Sequence, residues 1–147
     1  MLTENDVVRA VAKYLKNLGY RVESALTTNE HGIDIVALNL ESGKRMLVEA
    51  KGGTSSKVGT ARFGKPFTRK QAKTHVSVAL YSAAKLQEER ERGTLVALAF
   101  PEDTNHKSLV EDIKTTLETL KISVFFVDSE LRVKRFGSAT QEPRRMK

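Results

Sequence analysis

The stretch His31–Lys51 reads HGIDIVALNLESGKRMLVEAK and places charged side chains in two segments that are otherwise apolar. The first segment carries Asp34, and the second ends in Glu49, Ala50 and Lys51. On a β-strand, residues i and i+2 point to the same face, so Glu49 and Lys51 share a face. A hairpin between the two segments brings Asp34 beside them.

Charged residues in apolar strands need partners, because burying an unpaired charge is costly. Two carboxylates that lie together repel each other unless a proton or a cation separates them. A hard divalent cation with oxygen ligands satisfies both Asp34 and Glu49. A structural ion pair with Lys51, together with a capping role for Asp34, is the alternative that these residues leave open.

The composition bounds the class of protein. The 147 residues are 39% hydrophobic and 29% charged, which is typical of one globular domain. The absence of cysteine excludes disulfides and thiolate zinc sites, and it favours a cytoplasmic location. We expect no signal peptide and no membrane-spanning segment. A net charge of +7 favours a polyanionic partner.

Hydrophobic periodicity predicts an α/β fold with a central mixed β-sheet flanked by helices, in the order αβββαβαβ. We expect one domain over residues 1–136 and a loose basic tail over residues 137–147. The predicted elements are a helix from Thr3 to Gly19, strands at Tyr20–Leu26 and within the opening stretch, a helix from about Thr68 to Gly93, a buried strand at Thr94–Phe100, a helix at Asp103–Leu120, a buried strand at Ile122–Val127 and an edge strand at Leu131–Phe136.

The segment Gly52–Lys73 is rich in glycine and contains no acidic residue. A long polar segment of this kind is usually a functional loop or a disordered one. We interpret it as a loop that follows a phosphate backbone, because its positive charges adjoin the acidic pair. A solvated loop without a ligand is the alternative. The proposed nucleic-acid-binding residues are Lys57, Arg62, Lys65, Arg69, Lys70 and Lys73.

Asp34, the Glu49-Ala50-Lys51 triplet and the order of elements together resemble the PD-(D/E)XK nuclease superfamily. This superfamily has the restriction-endonuclease-like fold and includes archaeal Holliday junction resolvases and Mrr-like enzymes. The resemblance extends over roughly the first two-thirds of the chain. The proline of the family motif is replaced, since Ile33 precedes Asp34.

The resemblance implies a site that binds Mg²⁺ or Mn²⁺. In it, Asp34 and Glu49 would bind the metal with the backbone carbonyl of Ala50, and Lys51 would position or activate the attacking water. Two further residues match family positions: Glu4, as an additional metal ligand, and Gln71, as a polar catalytic residue on the next helix. Glu4 as a partner of the helix dipole and Gln71 as an ordinary helix residue are the alternatives.

The three histidines do not form a zinc-binding pattern. We interpret His31 as a turn residue, His75 as a residue on a helix face or near DNA, and His106 as a residue at a helix start.

The resemblance implies a metal-dependent endonuclease that hydrolyses phosphodiester bonds of DNA, with branched or structured DNA among the candidate substrates. Since one such site cuts one strand, we expect a homodimer. Two alternatives remain open: a catalytically silent module of the same fold that binds nucleic acid, and a nuclease that acts on RNA.

Overall fold

A computed structural model describes residues 1–26, 32–54 and 66–137. A six-stranded sheet has its strands in sequence order, β1-β2-β3-β4-β5-β6. The elements are α1 (Glu4–Asn17), β1 (Tyr20–Ala25), β2 (Ile35–Asn39), β3 (Arg45–Ala50), α2 (Arg69–Glu89), β4 (Leu95–Pro101), α3 (Thr104–Asp112), α4 (Lys114–Leu120), β5 (Ile122–Val127) and β6 (Val133–Arg135).

The sheet is mixed, as the sequence predicts. Strands β1, β2 and β3 pair antiparallel. Strands β3, β4 and β5 pair parallel, and β6 returns antiparallel to β5. Parallel neighbours need long crossover connections, and helix α2 and the pair α3–α4 supply them. The expected α/β class, with helices flanking a mixed sheet, is confirmed.

Helix α1 covers one face of the sheet. It begins with a capping box, in which Thr3 Oγ1 accepts a hydrogen bond from the Asp6 N–H and Asp6 Oδ2 accepts one from the Thr3 N–H. The apolar stripe that follows, including Val7, Val11 and Leu15, is fully buried. This packing fixes the start of α1 against the end of β3, where the acidic residues lie.

The opposite face of the sheet is covered by α2, α3 and α4. Helix α2 also begins with a capping box, formed by Thr68 and Gln71. Its small buried residues Ala72, Ala79 and Ala83 allow the helix to lie close to the strands. The second core contains these alanines with apolar residues from β4, β5, α3 and α4, including Phe100 and Phe126.

Several predicted boundaries differ from the structure. The single helix expected at Asp103–Leu120 is two helices, because Ile113 adopts φ −120° and ψ 25° between them. β-branched residues lower helix propensity, and Ile113, Thr115 and Thr116 cluster at this break. Asp34 lies in a bend directly before β2 rather than within a strand.

Helix α2 begins at Arg69, one residue after the predicted start at about Thr68, so the last residues of the segment Gly52–Lys73 belong to this helix. Arg69, Lys70 and Lys73 therefore lie on a helix. Residues 55–65, for which the sequence predicts a loop, lie outside the described residues, as does the predicted tail beyond Gly137. Among the helices in the described ranges, none combines the length and the apolar character that crossing a membrane requires.

Candidate functional site

The backbone holds Asp34 at the point where the β2–β3 ladder ends. The last paired residues are Ile35 and Val48. Beyond them, the Ala50 N–H donates a hydrogen bond to Asp34 Oδ2 at 2.8 Å, and the backbone oxygen of Asp34 accepts one from the Leu26 N–H at 2.8 Å. The Asp34 carboxylate thus accepts the hydrogen bond that a backbone carbonyl of β2 would accept if the ladder continued. This hydrogen bond fixes the carboxylate beside the end of β3.

Glu49 and Lys51 are held by the parallel pairing of β3 with β4. Glu49 pairs with Leu98, and the Lys51 N–H donates to the Ala99 oxygen at 3.0 Å. Alternate residues of β3 are buried in the core that α1 covers, so Glu49 and Lys51 face the opposite side, toward α2. Both side chains are half-buried. The shared face that the sequence predicts is therefore present.

Glu4 approaches the site because the chain after β3 passes tightly under the start of α1. A Cβ at Gly52 would lie 2.7 Å from the Thr3 carbonyl carbon and closer still to the Glu4 nitrogen, so only glycine fits there. The Gly53 N–H then donates to the Leu2 oxygen at 2.9 Å. These contacts bring the first residue of α1 into electrostatic range of Asp34 and Lys51.

The electrostatics of the site show three carboxyl groups near one ammonium. Burial, followed by the charges of Asp34 and Glu4 and opposed by Lys51, raises the pKa of Glu49 to about 7. Burial also raises the pKa of Asp34, although the Ala50 N–H and Lys51 oppose it. Burial and then the charge of Asp34 raise the pKa of Glu4, against Lys51. The ionised carboxylates are therefore incompletely compensated by Lys51.

The donor set fits a divalent cation held in part by water. In the described ranges, no three His, Asp or Glu side chains are arranged as a complete set of metal ligands. Mg²⁺ is commonly held by one or two carboxylates with waters and substrate oxygens, and Asp34 and Glu49 provide that number. The N–H and C=O groups of one strand residue point to the same side, so the Ala50 carbonyl faces the side of Asp34.

Gln71 has a defined structural role. Its Oε1 accepts a hydrogen bond from the Thr68 N–H at 2.9 Å, and Thr68 Oγ1 accepts one from the Gln71 N–H at 3.2 Å. The side chain thereby caps the start of α2. A part in catalysis stays a prediction for this residue.

The predicted nucleic-acid-binding residues are described only in part. Lys57, Arg62 and Lys65 lie outside the described residues. Lys70 and Lys73 are exposed on the first two turns of α2. Arg69 is also exposed, but its guanidinium contacts Asp112 at 3.4 Å and Ser108 Oγ at 3.1 Å.

Sequence reasoning missed a buried cluster beside Lys51. His75 on α2 packs its ring against Phe67, with the ring centroids 4.6 Å apart. His106 does lie near a helix start, as predicted, but it is 1% exposed and hydrogen-bonded to the N-cap residue Asp103. Burial, then Lys51 and then His106 lower the pKa of His75. The available signal was the Asp103-x-x-His106 spacing of a capped helix start.

Comparisons with known proteins agree with the fold. The family model Mrr_cat, described as a restriction endonuclease, matches residues 1–65. No protein among those with curated annotation matches the sequence significantly.

Two crystal structures resemble the chain over most of its length. An XisH family protein from Nostoc punctiforme is 17% identical with a TM-score of 0.52, covering 88% of this chain and 96% of that one. An fdxN element excision controlling factor protein from Anabaena variabilis is 18% identical with a TM-score of 0.56, covering 90% and 99%. At this identity the likeness concerns the fold alone.

The family match over residues 1–65 includes the segment that carries Glu4, Asp34, Glu49 and Lys51. The structural likeness extends across nearly all of both related chains. The chain therefore has a restriction-endonuclease-like fold, and its resemblance to that superfamily is confirmed.

Proposed function

We propose that this chain is a metal-dependent endonuclease that hydrolyses phosphodiester bonds of DNA. The observation that carries the proposal is the convergence of Glu4, Asp34, Glu49 and Lys51 at the end of β3. Incompletely compensated carboxyl groups that are partly buried are expensive for stability alone, and such arrangements are concentrated at functional sites. The match to a restriction endonuclease family over the same segment supports this assignment.

Asp34 and Glu49 would hold the cation, with the Ala50 carbonyl as a further oxygen donor. Glu4 would act more remotely, through water. When bound, a divalent cation lowers the pKa of its water and neutralises charge on the phosphate. Mg²⁺ and Mn²⁺ both prefer oxygen ligands of this kind.

Other groups of the chain would orient the metal ligands and bind the phosphate. The Ala50 N–H fixes the Asp34 carboxylate, so that its second oxygen keeps one orientation toward the site. Lys51 projects from the same face as Glu49, and its ammonium would bind a non-bridging phosphate oxygen and stabilise the charge that develops there. Because Lys51 lies only two residues after Glu49, the group that would bind the phosphate stays close to the proposed metal ligand.

Exposed lysines near the start of α2 would hold the DNA backbone. Lys70 and Lys73 are exposed on α2, whose start follows the site segment along the chain. Lysines that neutralise phosphates give affinity that depends on salt and little on base sequence. With one site for each chain, cleavage of both strands would require a homodimer.

A cleavage assay tests the proposal. Supercoiled plasmid and a four-way junction are incubated with the wild-type chain in Mg²⁺, Mn²⁺ or EDTA, beside Asp34→Asn and Lys51→Ala. The matched controls are Glu41→Gln and Lys44→Ala, which remove the same charges from the exposed β2–β3 turn. We expect cleavage to require metal and to fall at least about 100-fold in the two site variants. The controls should stay within about twofold of wild type.

The possible failures are distinct. Cleavage that survives in both site variants would place the activity elsewhere or in a contaminant. DNA binding without cleavage under every metal condition would instead identify a catalytically silent nucleic-acid-binding module. Parallel assays with an RNA of the same sequence would separate a ribonuclease from a deoxyribonuclease.

A further inference from the structure

A buried histidine behind the proposed site is anchored by a carboxylate. Asp103 caps α3, and its Oδ1 accepts a hydrogen bond from the His106 N–H at 2.8 Å. Both carboxylate oxygens also lie 2.9 Å from His106 Nδ1. An ionised carboxylate only accepts hydrogen bonds, so Nδ1 carries the proton. In the neutral ring, the other nitrogen, Nε2, is therefore an acceptor.

That second nitrogen is the anomaly. His106 is 1% exposed and stacks on Phe100 with ring centroids 5.4 Å apart, yet its Nε2 has no hydrogen-bond partner among the described residues. Leaving a buried polar atom unsatisfied costs about 1–3 kcal/mol. The hydrogen bond from Nδ1 to Asp103 therefore leaves the cost of the buried Nε2 without compensation.

A second unpaired nitrogen belongs to a neighbouring ring. His75 Nδ1 is also buried and has no partner within the described part of the chain. Helices α2 and α3, which carry the two histidines, pack against each other, and the pKa of His75 is lowered by burial, Lys51 and His106. Two rings with unsatisfied nitrogens thus lie within electrostatic range of each other and beside Lys51.

The chain that carries Lys51 contacts both ends of this cluster. A Cβ on Gly53 would lie 3.4 Å from Asp103 Oδ2, so the backbone after Lys51 passes directly against the carboxylate. The Gly53 oxygen accepts a hydrogen bond from the Phe67 N–H at 2.9 Å, and the ring of Phe67 packs on His75. Movement of the cluster would therefore move the segment that holds the lysine.

We propose that Asp103, His106 and His75 form a buried chain of hydrogen bonds that holds the His75 ring in one tautomer and one orientation beside Lys51. The His75 Nδ1–H donates to one buried water, and that water donates to His106 Nε2, because the two nitrogens are not within hydrogen-bond distance of each other. This assignment satisfies both unpaired nitrogens and leaves His75 Nε2 as an acceptor. His75 is then a positioning residue that acts through Lys51, a role that rests on the proposed function.

Two other arrangements of these side chains, a bound metal and a positively charged His75, agree less well with the observations. A metal bound by Asp103, His106 and His75 is disfavoured, since no group of three such side chains in the described ranges has a metal-binding arrangement. A positively charged His75 would repel the Lys51 ammonium. The charged and titratable groups that act on His75 are Lys51, directly after β3, and His106 from α3, with Asp103 behind His106.

The hydrogen-bond chain is tested first without reference to activity. Long-range ¹H–¹⁵N correlation spectra of the intact, metal-free protein report which ring nitrogen of each histidine carries the proton. We expect Nδ1–H for both His106 and His75 in the wild type. In His106→Phe, which keeps the ring but removes its nitrogens, His75 should shift to a mixture of tautomers. An Nε2–H tautomer for His75 in the wild type would overturn the proposal.

The positioning role is tested by kinetics. We expect His106→Phe to lower kcat for DNA cleavage about 10-fold with little change in KM, and His106→Gln, which keeps an acceptor group, to recover part of the loss. Val110→Ala, a cavity in the same helix, is the structural control and should leave both kcat and the His75 tautomer unchanged below its melting temperature. Equal losses in His106→Phe and Val110→Ala would overturn the positioning role.

These outcomes separate the two proposals. A wild-type chain that cleaves nothing refutes the proposed nuclease, while the tautomer measurement still decides the hydrogen-bond chain. A chain that loses cleavage in Asp34→Asn, but whose His75 spectrum is unchanged in His106→Phe, keeps the nuclease and loses the positioning role.

Discussion

The two ends of the β2–β3 hairpin differ in how their charged side chains are paired. Near the turn, Arg45 donates two hydrogen bonds to Glu23 at 2.7 and 3.1 Å. The hydrogen bond from Arg45 lowers the pKa of Glu23. At the open end, burial and neighbouring negative charges raise the pKa values of Glu4 and Glu49, and burial raises that of Asp34.

The contrast separates a surface with paired charges from one that we propose binds a cation. Exposed pairs of opposite charge are common and cost little. Partly buried carboxyl groups with one nearby ammonium raise the energy of the folded chain, and a bound cation would relieve that cost. The same three strands therefore carry a paired arginine and glutamate at one end and incompletely compensated carboxyl groups at the other.

The largest effect is expected from glycine substitutions at the two ends. Gly52→Ala would force a Cβ into the backbone of Thr3 and Glu4, and we expect it to lower the free energy of unfolding by about 3 kcal/mol. Gly43→Ala in the turn meets no atom within 4 Å, but it must adopt φ +75°, which costs about 1 kcal/mol. Urea denaturation measures both. Equal losses would show that Gly52 serves only as a flexible residue.

Divalent metal should stabilise the open end. With Mg²⁺ at 100 times its dissociation constant, we expect the wild-type free energy of unfolding to rise by about 2.7 kcal/mol. Asp34→Asn should remove this gain, whereas Glu23→Gln should preserve it. Thermal unfolding with and without EDTA gives the comparison. A gain that survives in Asp34→Asn would move the metal site away from the hairpin.

The pH dependence of stability should come from the open end. In metal-free protein, the pKa of Glu49 is about 7 when folded, above the ordinary glutamate value of 4.5. Between these values the folded state binds the proton more tightly than the unfolded state does. The stability that protonated Glu49 contributes is therefore fully present below pH 4.5 and is lost as pH rises through about 7. After allowance for solvent screening, this loss is about 1–2 kcal/mol.

Glu49→Gln should flatten that slope and leave the smaller contributions of Glu4 and Asp34. Denaturation midpoints measured from pH 4 to 8 in EDTA test this expectation. A steeper slope in Glu49→Gln than in the wild type would contradict it.

The smallest effect is expected at the satisfied end. Arg45→Ala removes the partner of Glu23, but both groups are exposed to solvent and neither would be left buried. We expect no measurable change in the melting temperature or in DNA cleavage. A loss of cleavage in Arg45→Ala would extend the functional surface along the whole hairpin.

The sequence was sufficient for the features that depend on local pattern. Alternation along β3 predicted the shared face of Glu49 and Lys51, and the apolar runs predicted both buried strands. The break at Ile113 was missed because a continuous apolar stripe concealed the weak helix propensity around it.

Features that depend on long-range packing could not be predicted. In the sequence, Gly52 is one of several glycines in a predicted loop, but its environment is set by the start of α1, far away in sequence. His75 and His106 belong to helices whose packing against each other no local pattern encodes. That one nitrogen of each ring lacks a hydrogen-bond partner can be recognised only from the three-dimensional structure.

The hydrogen bond between Gly53 and Phe67 has a consequence for how such proteins diversify. It fastens the two ends of an intervening stretch of chain, so that residues can be inserted, removed or exchanged between them at a modest entropic cost. In the proposed nuclease, replacement of that stretch would change target preference while the acids and the lysine keep their places. We therefore expect that grafting this interval between distant relatives would change the cleavage preference of the proposed nuclease and leave its proposed catalytic residues in place.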